Sequence, residues 1–251
     1  MELSSRQDLL IEPGWMNAAG SLGYAPPSSW PLPTRPVAFV TQPVSDQARK
    51  PAQDRGVIPF PGGFLLHSGL PNPGLRTVVK EYSSRWARSE IPVWVHVLAE
   101  SPERLDRMVR RLEETEGVAA IELSLPPQVK NGDALKLVTA ALGELPLVLS
   151  VPLDRSRESW VQEAVRSGIA AITLTAPRGI LAGKDGRRVR GRLIGPALLG
   201  LGLEALDHLK DSGVPLILGC GIFEPTGLEQ AIRQGAAAVQ LDAVLWTGWP
   251  G

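Results

Sequence analysis

Three histidines and one cysteine carry most of the chemistry that this chain can do near neutral pH. His67, His96, His208 and Cys220 lie far apart and give none of the short spacings that hold a metal ion, so no metal is expected. His67 sits in a Gly- and Pro-rich stretch, where an imidazole reads as an acid or base or as a plain surface residue. His96 shares the face of an alternating apolar run with Trp94 and Leu98. It reads as a ligand contact or acid–base group, or as a buried and satisfied histidine. His208 stands beside Lys210 and Asp211 and reads as solvated. Glu122 and Ser124 alternate, so they share one face of a strand. A buried carboxylate needs a partner or a raised pKa, and Glu122 is expected to pair with a basic residue that the sequence does not identify. Asp242 shares a face with Gln240 and reads as part of the same polar network. The run Lys184-Asp185-Gly186-Arg187-Arg188-Val189-Arg190-Gly191-Arg192 is the densest charge in the chain. It reads as a clamp for a phosphate or carboxylate, or as a solvated hairpin.

Positioning these groups requires a regular scaffold. Residues 15–18 and 37–40 read as the first two strands. Between them Pro26, Pro27, Pro31, Pro33 and Pro36 leave little room for a helix, so the first outer helix is expected to be stunted. Residues 45–63 are polar, rich in Gly and Pro, and too long for an idle connection; a loop over the strand ends is expected. From there helices and strands alternate. Helices are expected at 75–88, from Ser101-Pro102 to Gly117, and at 133–142, 156–167 and 196–209. Strands are expected at 91–98, 118–125, 145–153 and 170–176. Residues 177–195 are expected to be a basic loop. The clearest unit runs from Gly213 to Trp246. A short apolar strand at 216–218 meets the turn Gly219-Cys220-Gly221, Glu224-Pro225 opens a helix that Gly235 stops, and 237–245 make the last strand. Alternating strands and helices imply a parallel sheet with helices outside. Eight such strands in 251 residues have the size of one (β/α)₈ barrel, whose ligand site lies at the C-terminal ends of its strands. We expect one domain, 1–251, with residues 1–14 crossing the barrel bottom through Leu9-Leu10-Ile11.

Composition excludes several classes. Apolar residues make up 43% of the chain, enough for a large core. The 26 basic residues balance 26 acidic ones, leaving no global footprint for nucleic acid or a membrane surface. One cysteine makes no internal disulfide, and no secretory signal is visible. A cytoplasmic protein is expected.

Five short motifs, in order and at barrel spacing, resemble the dihydroorotate dehydrogenase family, which are FMN-dependent (β/α)₈ barrels. Asn17-Ala18-Ala19-Gly20-Ser21 resembles the loop under the flavin. Phe39-Val40-Thr41-Gln42-Pro43 resembles the second strand and its end. Gly69-Leu70-Pro71-Asn72-Pro73-Gly74 resembles the substrate loop. Ile121-Glu122-Leu123-Ser124 resembles the fourth strand. Gly221-Ile222 with Gly235-Ala236 and Val239-Gln240 resembles the phosphate end. The resemblance implies FMN contacts at Ala19, Gly20, Gln42, Ser150, Gly195, Gly221 and Ala243. It implies substrate contacts at Leu66 and Asn72, and reacting positions at Gln42, His67, His96, Ser124 and Ser150; Arg188, from the basic run read as a clamp, is the further expected substrate contact.

The same alignment shows departures. The family's two lysines fall on Gln42 and Ser150, so no cation stands by the flavin ring. Its strand-four Asn falls on Ser124, and Leu125-Pro126-Pro127 stand where a Ser or Cys base should follow. Asp242-Ala243 replace a Gly-Thr phosphate turn, and a carboxylate repels a dianion. A flavin-type oxidoreductase is therefore expected with dihydroorotate oxidation lost or altered and FMN binding weak. The alternative is a repurposed barrel that binds a small anion or a partner subunit. Because the chain stops after the last strand, its closing helix is expected to be missing. The flank with Val239, Leu241, Val244 and Leu245 then needs a cover: a second copy, a partner, Leu9-Leu10-Ile11, or Trp246 and Trp249.

Overall fold

The computed structural model describes residues 9–183 and 185–249. Residues 1–8 of the N-terminal segment and Lys184 of the basic run lie outside them. In chain order the strands are β1 (Trp15–Asn17), β2 (Phe39–Val40), β3 (Gly56–Phe60), β4 (Gly63–His67), β5 (Val93–Leu98), β6 (Val118–Ser124), β7 (Leu147–Pro152), β8 (Ala171–Thr175), β9 (Arg178–Ala182), β10 (Arg188–Ile194), β11 (Leu216–Gly219) and β12 (Ala238–Leu241). The α-helices are α1 (Leu75–Trp86), α2 (Pro102–Glu113), α3 (Asn131–Ala141), α4 (Ser159–Arg166), α5 (Leu198–Leu209), α6 (Pro225–Arg233) and the four-residue α7 (Val244–Thr247).

Eight strands form one sheet in the order β1-β12-β11-β8-β7-β6-β5-β2, with every pair parallel. This is the expected (β/α)₈ barrel. The side chain of Asn17 links its two end strands, β1 and β2. The Asn17 amide donates to the Val40 carbonyl at 2.6 Å and accepts from the Val40 N–H at 3.0 Å. One side chain thus supplies the two bonds of a missing ladder rung. Asn17→Ala leaves both Val40 groups unpaired in the interior, at about 1–3 kcal/mol each. Urea denaturation is expected to show that loss; a variant as stable as the wild type would contradict this role.

Among the described residues no helix stands between β1 and β2. The Pro-rich segment covers them instead. Leu32 and Ala25 join the core, Trp30 packs edge-on to Trp15, and the Trp86 indole donates to the Tyr24 carbonyl at 2.7 Å. The helices follow local rules. In α2, for example, the Ser101 hydroxyl accepts from the Arg104 N–H, Pro102 opens the first turn, and Leu105, Met108, Val109 and Leu112 are buried.

Three expectations are corrected. Residues 45–63 and 177–195 are not plain loops: β3 and β4 form one antiparallel hairpin and β9 and β10 another. The two join through β4 and β10 into a second sheet, order β3-β4-β10-β9. Their polar surface hides buried positions, Leu65 on β4 and Val189, Gly191 and Ile194 on β10. Gly191 is required at the crossing, since a Cβ there would stand 2.5 Å from Leu65 and from the Leu66 carbonyl. The expected open flank does not exist: Val239, Leu241, Val244 and Leu245 are all buried in the main core, and Trp249 packs on it. The last strand is also shorter than 237–245, because the chain turns into α7 after Asp242. Leu9 and Ile11 pack against the apolar cluster inside the barrel, while Leu10 points to solvent.

Candidate functional site

Period two along each strand builds the barrel interior in layers. The lower layer is apolar, with Trp94, Ala120, Val148, Ala171, Ile217 and Ala238 in one cluster. One step toward the C-terminal ends, the inward residues become His96, Glu122, Ser150, Thr173 and Gln240. Apolar side chains therefore form the plug, and polar ones form the floor of the mouth.

Glu122 is the centre of that floor. It is 1% exposed, and each of its oxygens is occupied. Oε2 lies 2.6 Å from His96 Nδ1, while Oε1 accepts from the Thr173 hydroxyl at 2.7 Å and the Gln240 amide at 2.6 Å. Burial alone would raise the carboxyl's pKa. The hydrogen bonds and charge of His96, with the donors from Thr173 and Gln240, outweigh burial and hold it below the usual range. An ionised Glu122 only accepts hydrogen bonds, so His96 Nδ1 carries the proton. The partner that the sequence left unidentified is His96. Its backbone is fixed too: the His96 N–H donates to Thr41 Oγ1 at 3.0 Å, and its carbonyl accepts from Val44 N–H at 2.9 Å. His96 Nε2 makes no hydrogen bond among the described residues, and the ring lines the mouth cavity.

That cavity has a volume of about 380 Å³, within the range of small-molecule sites. Ser124, Ser150 and Gln240 line its lower part, Leu66 and His67 of β4 its side, and Arg178 and Arg192 come from the second sheet. Neither arginine has an ion pair or hydrogen bond among the described residues, and the Arg178 Nε is buried without a partner. Burial, then the like charges of Arg192 and Arg190, push Arg178 below the usual guanidinium range. By contrast Arg155, also on the cavity wall, is committed: it binds both oxygens of Glu158 at 2.8 Å and stacks over Trp160. Asp242 is raised by burial, an effect that the charge of Arg192 opposes. A second, outer cavity of about 950 Å³ adjoins the first, with Arg188 and Arg190 on its wall beside the His67–Asp54 pair at 3.1 Å.

The structure brings together His96, Ser124, Ser150, His67, Leu66 and Ala19 around the mouth cavity. Other sequence-expected positions lie elsewhere. Gln42 does not line it. Arg188 faces the outer cavity alone. Asn72 is consumed by its own loop, where Oδ1 accepts from the N–H groups of Ser45 and Gly74 and Nδ2 donates to the Ser45 hydroxyl. Gly20 belongs to a turn at positive φ, and Gly195 packs on Gly62. Ala243 precedes α7. Gly221 is pressed against the first turn of α5, where a Cβ would meet Leu199 N at 2.2 Å. Burial raises the Cys220 thiol to about 12, so it is no nucleophile at neutral pH. Among the described residues no group of His, Cys, Asp and Glu could hold a metal, and no helix is long and apolar enough to cross a membrane.

No family model matches the chain. It is similar to curated proteins named dihydroorotate dehydrogenase B (NAD(+)), catalytic subunit. With that of Pelobacter propionicus it shares 27% identity over 247 residues, covering 90% of this chain and 81% of the other. With that of Trichlorobacter lovleyi it shares 26% over the same shares of each. Among solved structures, DHODH from Eimeria tenella in complex with ferulenol superposes with a TM-score of 0.66 at 14% identity, over 93% of this chain and 77% of that one. The barrel and the resemblance read from the five motifs are both borne out.

Proposed function

We propose that this dihydroorotate-dehydrogenase-like barrel binds a small anionic ligand at its mouth and that the oxidation of dihydroorotate has been lost. The observation that carries the proposal is the pair Arg178 and Arg192. Two cations, one with a buried and unpartnered Nε, line the same cavity as a floor that is already satisfied. Such a pair is costly without an anion and favourable with one, because charge-assisted bonds from a guanidinium fork match a carboxylate or phosphate.

The family's FMN does not fit the residues present. At the ring end Gln42 and Ser150 carry no charge, and Gln42 does not line the cavity. At the phosphate end Gly195, Gly221 and Ala243 do not line it either, and Leu199 fills the space beside Gly221. Trp246 also ties α7 to the first loop by donating to the Ser21 carbonyl at 2.9 Å. The base position is occupied by Leu125-Pro126-Pro127 on the cavity wall.

A second reading, an FMN-type oxidoreductase with a changed substrate, is favoured by the similarity to dihydroorotate dehydrogenase B catalytic subunits. On that reading a partner subunit would complete the enzyme. Burial of Val239, Leu241 and Leu245 removes the apolar flank on which a second copy would dock.

Calorimetric titration tests the first reading, with orotate, 2-oxoglutarate and inorganic phosphate as probes at fixed ionic strength. At least one probe is expected to bind, and Arg192→Ala to weaken it about tenfold or more, the size of one lost charge-assisted bond. Arg178→Met is expected to weaken binding as well, without lowering the melting temperature of the ligand-free protein, since it removes a buried guanidinium Nε that has no hydrogen-bond partner among the described residues. Failure of all three probes to bind, or unchanged affinity in both variants, would contradict the reading.

A further inference from the structure

The floor of the anion cavity is built to move a proton as well as to hold a ligand. We propose that His96, oriented by Glu122, is the general base of an enolisation reaction on a small 2-oxo carboxylate whose carboxylate is held by Arg178 and Arg192. This rests on the anion-binding reading above and adds the substrate class and the reaction.

The geometry has three parts. His96 Nδ1 donates to Glu122 Oε2 at 2.6 Å, so in the neutral ring the lone pair belongs to Nε2, the atom left without a partner among the described residues, in a side chain that lines the cavity. Glu122 cannot swing away or take the proton readily, because Thr173 and Gln240 hold its other oxygen. A fixed carboxylate behind an imidazole keeps it in one tautomer and stabilises the imidazolium that forms when Nε2 is protonated. The second part is the arginine pair. Arg178 and Arg192 come from the second sheet, whereas His96 belongs to the barrel floor, so an anion held by the arginines presents its remaining atoms to the imidazole.

The third part is the serines. Ser124 and Ser150 are adjacent in register on β6 and β7, both line the cavity, and neither side chain makes a hydrogen bond among the described residues. Two free hydroxyl donors beside a base are suited to an oxygen on which negative charge develops. A carboxylate with a carbonyl next to it uses all three parts. In the step, Nε2 takes a proton from C3. The C–H pair becomes the C2–C3 π bond, and the carbonyl π pair moves to the oxygen, which accepts from Ser124 and Ser150. The imidazolium returns a proton to C3 to close the cycle. No oxidant or reductant is consumed.

Incubation in D₂O with pyruvate, 2-oxobutyrate and 2-oxoglutarate tests this, with loss of the C3–H proton signal as the readout and calorimetry on the same samples. The wild type is expected to bind at least one of them and exchange its C3 proton above the buffer rate. His96→Asn is expected to lower that exchange about 100-fold or more, with affinity within about threefold. Ser150→Ala, a milder change, is expected to lower exchange with little effect on binding, and it serves if His96→Asn does not fold. Binding without exchange would overturn this proposal and leave the anion-binding reading standing. Exchange that survives both substitutions would overturn it as well, and absence of binding by any of the three would overturn it together with the substrate class.

Discussion

Glu122→Ala is expected to remove about 3–5 kcal/mol of folding stability, the cost of breaking a buried charged network from one side. That is a large fraction of the roughly 5–15 kcal/mol that holds a typical domain. The loss is not that of one contact. Thr173, Gln240 and His96 Nδ1 each lose an acceptor in the interior. Glu122→Gln keeps the volume and is expected to cost less, since its carbonyl still accepts from Thr173 and Gln240, but its NH₂ then faces the His96 Nδ1–H donor. The pH dependence has a definite sign. The folded carboxyl lies below its unfolded value of 4.5, so its stabilisation is fully present above about that pH and is lost as pH falls through the folded value. The gap between wild type and Glu122→Gln is therefore expected to be widest near neutrality and to narrow in acid. Urea midpoints at neutral pH and in acid measure it. A gap that does not change with pH, or an alanine variant of wild-type stability, would show that Glu122 is not the ionised centre of the floor.

Turnover of dihydroorotate is expected to be absent even when FMN and an artificial electron acceptor are supplied in excess. Loss of a general base alone costs about 10²–10⁴-fold, and Pro126 and Pro127 on the cavity wall cannot take a proton. The uncharged Gln42 and Ser150 add to this by removing the cations that favour anionic reduced flavin. A steady-state assay checks it. Turnover of about one per second, ordinary for an enzyme, would show that the chain retains the family reaction by some other base.

The barrel was legible because its signals are local and repeated. Short apolar strands, capped amphipathic helices and the unit from Gly213 to Trp246 each carry their own period, and the motifs fell in order. The second sheet was not legible. In β3 and β10 the inward residues alternate with Pro59, Arg188, Arg190 and Arg192, and charge and Gly content concealed the alternation. The covered flank was missed for a different reason. Val239 and Leu241 are buried in a core cluster that draws on segments distant in sequence, a relation that no local period reveals. The site was half legible. The shared inward face of Glu122 and Ser124 was readable from β6 alone, but its partner His96 is 26 residues away on a neighbouring strand, a relation set by register. Expectations carried over from the family, such as Asn72 and Gly221, marked positions that here serve the loop and the packing of α5. Arg178 had a signal available, a basic residue directly after the Thr175-Ala176-Pro177 strand end, but it lay outside the denser run that follows.

The most direct test of the account is a crystal structure of the protein grown with both FMN and 2-oxoglutarate at high concentration. A carboxylate of 2-oxoglutarate is expected within hydrogen-bonding distance of the Arg178 and Arg192 guanidinium groups, with C3 facing His96 Nε2 and no flavin in the mouth. Density for FMN, with its ring over Ser150 and its phosphate beside Gly221, would contradict it and restore the family's chemistry to this barrel.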